Sequence, residues 1–447
     1  MPLLRHLEQL EVRDCGSIEA LFNIYLDCVG ETGEGSRSSS LRSIGIYQLE
    51  NLREVWRIKG GENNSGLPIR VFQAVESISI YECKRFSYLL TPTTTKFDLG
   101  ALTSMVILNS GEIGRKYGLV ESSQGHENTL FPAYLIHSIH NLRKLELVKY
   151  KGVEVIFEIK GSSKSQDNQH RILPYLENLY TNDLERLSHV WKCNWNEFVL
   201  LHTKQSESPF HNLTTIEMRN CHSIKYLFSP LMAELLSNLK KVKIKCLPNL
   251  KCIGGGGAKA GNNKISFNNT TTTTSFLDNS KFSEVDGVSW SLCQYPREIS
   301  ISKCNALSSV IPWYAAGQMQ KLQVLKIKSC DGMKEVFETQ WINKSVIMLE
   351  LRNLKRLEIY SCEFLEHIFT FSTLESLEQL EELMIKNCKA MKVIVMKEED
   401  DGEQKTKASF SKAVVFPLLK LIELVDLPEL VGFFLGTNHA FIGLSYD

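Results

Sequence analysis

One spacing of apolar residues recurs about every 26 to 40 positions, with one longer gap, and it constrains the fold more than any other feature. In LEELMIKNCKAMKVIV, from Leu380 to Val395, aliphatic residues lie eight, five and three positions before Cys388 and three, six and seven positions after it. A period of this length is typical of solenoids. Seven of the 12 cysteines occupy the same repeat position, Cys304 with a proline in one aliphatic place: Cys15, Cys83, Cys221, Cys304, Cys330, Cys362 and Cys388.

Further copies of the repeat carry another residue in the cysteine place. They are centred on Leu49, Tyr150, Leu184, Leu247 and Leu427, with a weaker copy around Ser110. Together with the cysteine copies, these give roughly 13 repeats, so the repeat accounts for nearly the whole chain of 447 residues.

The repeat LxxLxLxxC predicts a short strand, because its central residues alternate between apolar and polar. Parallel stacking of one strand per repeat, about 4.8 Å apart, makes a curved sheet whose apolar face is covered by the returning chain. The apolar residues after the cysteine place fill the space between the sheet and the return segment. Each repeat is then stabilised by its neighbours.

Polar insertions interrupt the pattern without ending it. The Gly/Thr/Asn-rich stretch 254–280 predicts an inserted, flexible loop, and the segment 397–412 predicts a charged loop. Since the spacing resumes unchanged at Cys304, we expect a single repeat domain over residues 1–447.

Charge and hydropathy exclude several classes of protein. Lys plus Arg equals Asp plus Glu at 51 each, so no global field favours nucleic acid. The first residues resemble no signal peptide, and no apolar run approaches the length of a membrane span. We therefore expect a cytoplasmic or nucleo-cytoplasmic chain with no membrane span and no nucleic-acid partner.

The repeat cysteines are predicted to be structural. Metal ligands must converge on one ion, whereas equivalent positions of stacked repeats form a ladder. A small thiol that packs and donates weakly to a backbone carbonyl suits the place where a strand turns away. We expect no metal and no cofactor, and we predict that Cys388→Ser costs roughly 1 to 3 kcal/mol through the burial of a hydroxyl.

The outward positions of the strands are the candidate binding surface. Lys241, Lys243 and Lys245 alternate with buried residues and form a basic centre on a concave face of mixed charge, which suits a protein partner. A solvated face without a ligand is the alternative. The candidate residues are Arg219, Lys241, Lys243, Lys245, Lys326, Lys328, Arg356, Glu358, Tyr360, Glu382, Met384 and Lys386.

Units such as LEQLEVRDCGSIEALF, LTTIEMRNCHSIKYLF and FPLLKLIELVDLPELVGF resemble the leucine-rich repeats of plant intracellular disease-resistance proteins of the coiled-coil, NB-ARC class. The resemblance implies an α/β solenoid, a horseshoe with a concave parallel β-sheet of about 13 short strands and a mostly irregular or short-helical convex side. It also implies that the repeats recognise a pathogen effector, a guarded host protein or the receptor's own NB-ARC domain.

The chain departs from that class in one respect, because it has no GxxxxGK[ST] phosphate loop and the NB-ARC part is missing. We therefore expect a non-enzymatic recognition module of plant innate immunity; no acid/base pair or catalytic triad is evident. The alternatives are a substrate-recognition adaptor of a ubiquitin ligase and a degenerate receptor fragment without activity.

Overall fold

The computed structural model describes most of the repeats and few of the segments between them. The described residues are 6–25, 39–59, 69–90, 97–111, 128–159, 173–193, 210–228, 236–251, 253, 295–311, 319–337, 341–342, 345–346, 351–374, 376–396 and 416–434. The predicted loops 254–280 and 397–412 lie outside them. The chain divides into two compact units, Met1–Ile224 and Lys225–Asp447, which are described separately. The expectation of a single domain over 1–447 stays a prediction.

The first unit contains a parallel sheet with one strand per repeat. Each strand has five residues and pairs in register with the strand of the next repeat. The strands, in sheet order, are β1 (Gln9–Arg13), β3 (Ser43–Tyr47), β5 (Ser77–Tyr81), β7 (Ser104–Leu108), β9 (Lys144–Val148), β11 (Asn178–Asn182) and β13 (Thr215–Arg219).

The second unit has the same arrangement, with five-residue parallel strands in register. Its strands, in sheet order, are β14 (Lys241–Lys245), β15 (Glu298–Ser302), β16 (Val324–Lys328), β19 (Arg356–Tyr360), β21 (Glu382–Lys386) and β23 (Leu421–Val425). Seven strands in one unit and six in the other confirm the predicted leucine-rich-repeat fold with about 13 short parallel strands.

The return side of the repeats also contains short parallel strands. In several repeats the apolar pair six and seven residues after the cysteine place lies in one of these strands, as Leu21 and Phe22 do. They form three sheets, composed of β2 (Ala20–Tyr25), β4 (Glu54–Lys59) and β6 (Tyr88–Leu90); β8 (Thr129–Phe131), β10 (Val155–Ile159) and β12 (His189–Cys193); and β20 (Phe369–Thr370), β22 (Val393–Met396) and β24 (Gly432–Phe434).

Helix is scarce in the described part of the chain. The helical elements there are α1 (Ala133–Ile136), the 3-10 turn His137–Ile139 and α2 (Phe371–Leu374). A short antiparallel strand pair is formed by β17 (Trp341–Ile342) and β18 (Ser345–Val346). None of the helices described here is long and apolar enough to cross a membrane.

The core of each unit lies between the sheet and the return strands. Ile78, Ile80 and Leu102 are fully buried in the first unit, and Leu357 and Ile359 are fully buried in the second. Aromatic side chains on the return side stack between repeats; the Phe337 and Phe369 rings, for example, lie 5.8 Å apart. The buried positions are therefore those that the repeat pattern marks as apolar.

A residue in the left-handed conformation directly follows each of the thirteen five-residue parallel strands. The residue directly before the cysteine place has a φ between 47° and 58° in all thirteen repeats, although none of these residues is glycine: Asp14, Gln48, Glu82, Asn109, Lys149, Asp183, Asn220, Cys246, Lys303, Ser329, Ser361, Asn387 and Asp426. Its N–H still extends the ladder, as Asp14 N donates to Tyr47 O at 3.1 Å. The chain thus leaves the sheet without losing a backbone hydrogen bond.

The repeat cysteines close this turn. In all seven, Sγ donates to the carbonyl oxygen two residues earlier, over 3.2 to 3.6 Å. Six of them are buried, and Cys15 is exposed. Burial raises the pKa of the Cys83 and Cys221 thiols to about 11, so these thiols are neutral at physiological pH.

Candidate protein-binding face

In each unit, the outward side chains of the five-residue parallel strands form three columns. In β14, Val242 and Ile244 point into the core, while the first, third and fifth residues are accessible to solvent. Because the strands pair in register, equivalent residues of successive strands lie about 4.8 Å apart. We call this surface the strand face and its columns the first, middle and last columns.

A group of lysines crosses the strand face of the second unit. Lys243 and Lys326 flank Ser300 in the middle column, and Lys245 and Lys328 flank Ser302 in the last column. Lys245 and Lys328 are exposed. We call Lys243, Lys245, Lys326 and Lys328 the lysine patch. With Lys241 and Glu298, the nine outward positions of β14, β15 and β16 carry five lysines and one glutamate.

Two of these lysines have acidic partners on a neighbouring strand. Lys241 Nζ lies 2.6 Å from Glu298 Oε2, and Lys326 Nζ lies 2.9 Å from Glu358 Oε1. The Glu358 side chain is nearly buried beneath Lys326 and Arg356 and acts as their shared counter-charge. The exposed positive charge of the patch lies in the last column, at Lys245 and Lys328.

Other outward side chains of this strand face form ion pairs with side chains on neighbouring strands. Arg356 Nη2 lies 2.7 Å from Glu382 Oε1, and this hydrogen bond raises the pKa of the guanidinium. Lys386 Nζ lies 2.6 Å from Glu423 Oε1, which likewise raises the pKa of that ammonium group. These pairs order their side chains before any partner arrives, which reduces the entropy lost on binding.

Tyr360 and Met384 add an apolar element between the ion pairs. Tyr360 Oη donates to Met384 Sδ over 3.5 Å, and Lys386 Nζ lies 5.9 Å from the centre of the Tyr360 ring. Eleven of the twelve candidate residues lie on this face of the second unit. Arg219 belongs to the first unit, where it pairs with Glu217 and lies 5.8 Å from the Tyr180 ring.

The candidate list contains no residue from the first three repeats, where the structure shows an ordered aromatic pair. The Tyr47 and Tyr81 rings are stacked 5.1 Å apart on the strand face of the first unit. The signal was present in SIGIY and SISIY, where tyrosine occupies the last outward position of two consecutive repeats. Because this tyrosine pair carries no charge, the prediction of a basic centre does not include it.

The fold and its strand face define a protein of the leucine-rich-repeat class. The family model described as plant disease resistance protein RPS2-like, leucine-rich repeats, matches residues 1–111, 119–247, 287–353 and 341–434. The chain belongs to this family. Repeats of this kind are typically non-enzymatic scaffolds, and membership points to a protein-interaction role in plant immunity.

No curated protein matches the chain in sequence. Among solved structures, the chain is similar to the one titled "Crystal structure of TLR13-ssRNA13 complex", with 13% identity over 87% of this chain and 70% of that chain and a TM-score of 0.19. A similarity at that level carries no argument about function.

Proposed function

We propose that the chain is a non-enzymatic recognition module of plant innate immunity that binds a protein partner through its strand face. The partner is a pathogen effector, a guarded host protein or a receptor NB-ARC domain, met in the cytoplasm. The observation that carries this proposal is the lysine patch on an ordered strand face, in a chain of the disease-resistance repeat family.

The charge of the patch favours an acidic region on the partner. Lys245 and Lys328 are exposed in the same column, two strands and about 10 Å apart, so they can contact two carboxylates of one surface. Exposed charges of this kind raise association rates and exclude partners of like charge more than they add to affinity. The six strands of the unit extend the surface over about 24 Å.

A protein fits this surface better than a nucleic acid does. Glu298, Glu382 and Glu423 lie among the basic residues at the surface of this face, and each would repel a phosphate backbone. A folded protein partner can present cations to these carboxylates and carboxylates to the lysines. The mixed pattern therefore supports recognition of a specific protein surface.

Quantitative proximity labelling in plant tissue tests the proposal. The natural chain is compared with Lys245→Glu combined with Lys328→Glu, and with the control Lys251→Glu, which reverses an exposed lysine of the same unit outside the strand face. We expect a set of proteins to be labelled by the natural chain and by the control, and lost with the double variant.

Direct binding of a labelled protein then gives the second readout. Its association rate with the purified natural chain should fall as NaCl rises from about 50 to about 500 mM, because salt screens the attraction between exposed charges. An identical labelled set for all three chains, or enrichment of nucleic acid in place of protein, would contradict the proposal.

A further inference from the structure

The strand face of the first unit differs from that of the second in having no charge over three consecutive strands. The nine outward residues of β3, β5 and β7 are four serines, one glycine, two tyrosines, one valine and one leucine: Ser43, Gly45, Tyr47, Ser77, Ser79, Tyr81, Ser104, Val106 and Leu108. We call this surface the neutral face. In a chain with 23% charged residues, such an area on outward strand positions needs an explanation.

The last column of this region is an apolar row. Tyr47, Tyr81, Leu108 and Val148 are register partners on β3, β5, β7 and β9, so the row extends over about 14 Å. All four side chains are partly accessible to solvent. Four successive apolar side chains at outward positions mark a contact surface, since a solvated face gains nothing from them.

The aromatic part of the row is held in place before any partner binds. The Tyr47 and Tyr81 rings are stacked with 6° between their planes, and the Arg13 guanidinium covers the other side of Tyr47 at 3.8 Å. Tyr47 also leans across Gly45, where an added Cβ would come within 2.9 Å of the ring. The position of Tyr47 therefore requires glycine on the same strand.

Several polar and charged side chains that border the neutral face pair with a neighbour. Ion pairs or hydrogen bonds join Arg13 to Glu11 at 3.0 Å, Arg42 to Glu76 at 2.6 Å, Lys144 to Glu146 at 3.1 Å and Gln48 to Glu82 at 2.8 Å. The result is an uncharged centre of small hydroxyl side chains and rigid aromatic rings within a polar rim, which is the composition of a protein contact surface.

We infer that the neutral face binds an uncharged segment of a partner protein, a second contact separate from the lysine patch. Apolar side chains of the segment pack against Tyr47, Tyr81 and Leu108. The hydroxyls of Ser79 and Ser104 donate to or accept from its peptide groups, and Ser77, whose hydroxyl donates to Ser43 Oγ at 3.0 Å, accepts from them. A charged segment is excluded because its ionic groups would lose water and gain no counter-charge.

This inference rests on the proposed function, in that both assign protein binding to the strand face. The lysine patch lies in the second unit and binds through charge, whereas the neutral face lies in the first unit and binds through apolar contacts. Failure of one proposal can therefore be distinguished from failure of the other. Lys328→Glu affects the lysine patch alone, whereas Leu108→Lys places a charge in the neutral face alone.

Selection of a random twelve-residue peptide library on the full chain tests the inference. We expect enriched peptides with an uncharged core and apolar residues at alternate positions. Leu108→Lys and Tyr81→Ser should each weaken their binding about tenfold or more, equivalent to about 1.4 kcal/mol. Asn178→Lys, the same charge change on an exposed strand position of β11 in this unit, two strands beyond β7, and Lys328→Glu should leave it unchanged.

Several outcomes would overturn the inference. These are a selection without enrichment, a charged consensus, and peptides that bind Leu108→Lys as well as the natural chain. Sedimentation of the free protein supplies the remaining outcome: a dimer that Leu108→Lys dissociates would make a second copy of this chain the occupant and would refute binding of a partner segment.

Discussion

Lys326 and Glu358 form an ion pair between neighbouring strands, with 2.9 Å between Nζ and Oε1 and with the carboxylate almost entirely buried. The pair connects the lysine patch to the Arg356–Glu382 contact on the next strand. The coupling free energy of this ion pair therefore reports how strongly the outward side chains of the second unit are ordered before a partner binds.

A double-mutant cycle with Lys326→Met and Glu358→Gln should give a coupling of about 0.5 to 1 kcal/mol in the free energy of unfolding, because one partner is shielded from solvent. The comparison pair is Lys84–Glu50, where both side chains are about 70% exposed. Its cycle, measured by urea denaturation in the same buffer, should give a coupling near zero. Equal couplings in the two cycles would show that burial of Glu358 adds nothing.

The left-handed residue at each strand end predicts a position-specific cost for β-branched side chains. Lys303 has a φ of 54°, which valine tolerates poorly, so Lys303→Val should lower the free energy of unfolding by about 1 to 2 kcal/mol. Lys328→Val is the control, since Lys328 is an exposed strand residue where valine is favoured. Chemical denaturation checks both, and equal losses would contradict the argument.

The cysteine place should accept serine at smaller cost than the sequence pattern predicts. At Ser110, which takes this place in its own repeat and is fully buried, Oγ donates to Leu108 O at 2.8 Å and accepts from Cys83 N at 3.2 Å. The Cys388 sulfur makes the same two kinds of backbone contact, since it donates to Lys386 O and the backbone of Cys362 hydrogen-bonds to it, and the Cys362 thiol lies beside it.

We therefore expect Cys388→Ser to cost less than about 1 kcal/mol, in place of the larger penalty expected for an unsatisfied hydroxyl. Met391→Ser, also at a fully buried position of the same repeat, should cost about 2 to 5 kcal/mol because it leaves a cavity. Thermal and urea denaturation distinguish the two variants. Similar losses would show that the carbonyl and amide at the cysteine place do not satisfy a hydroxyl.

The buried thiols predict a loss of stability at alkaline pH. Burial raises the pKa of Cys221 to about 11 from the ordinary value of 9.0, so the unfolded chain releases a proton that the folded chain retains between these two values. The free energy of unfolding therefore falls as pH rises through this window, by an amount on the order of 2 kcal/mol for one thiol.

Unfolding at about pH 8 and about pH 10.5 measures this loss. Cys221→Ala should show a smaller decrease between the two pH values than the natural chain, since the titrating thiol is gone. Cys15→Ala removes an exposed thiol and should leave the decrease unchanged. A natural chain and a Cys221→Ala variant with parallel pH profiles would rule out this thiol as a cause of alkaline destabilisation.

The recurrence of one apolar spacing was sufficient to predict the fold class, the number of strands and their core-facing residues. Leu383 and Ile385, or Leu357 and Ile359, alternate within a strand and are fully buried, as a period of two requires. Repetition made this inference secure, because a pattern seen once is ambiguous and a pattern seen roughly 13 times is not.

Contacts between strands could not be predicted in the same way. The stacking of Tyr47 on Tyr81 and the burial of Glu358 under two cations depend on which side chains become neighbours once the strands are in register. Residues 34 or 32 positions apart, such as Tyr47 and Tyr81 or Lys326 and Glu358, carry no mark of their proximity in the linear sequence.

The sequence by itself thus determined the class of this protein and the outward positions of each repeat, because hydrophobic periodicity is a local property of the chain. Only the tertiary structure decided how those positions combine into a lysine patch in one unit and a neutral face in the other. Charge and ring interactions act over a few ångströms in space, and the register of parallel strands brings distant residues within that range.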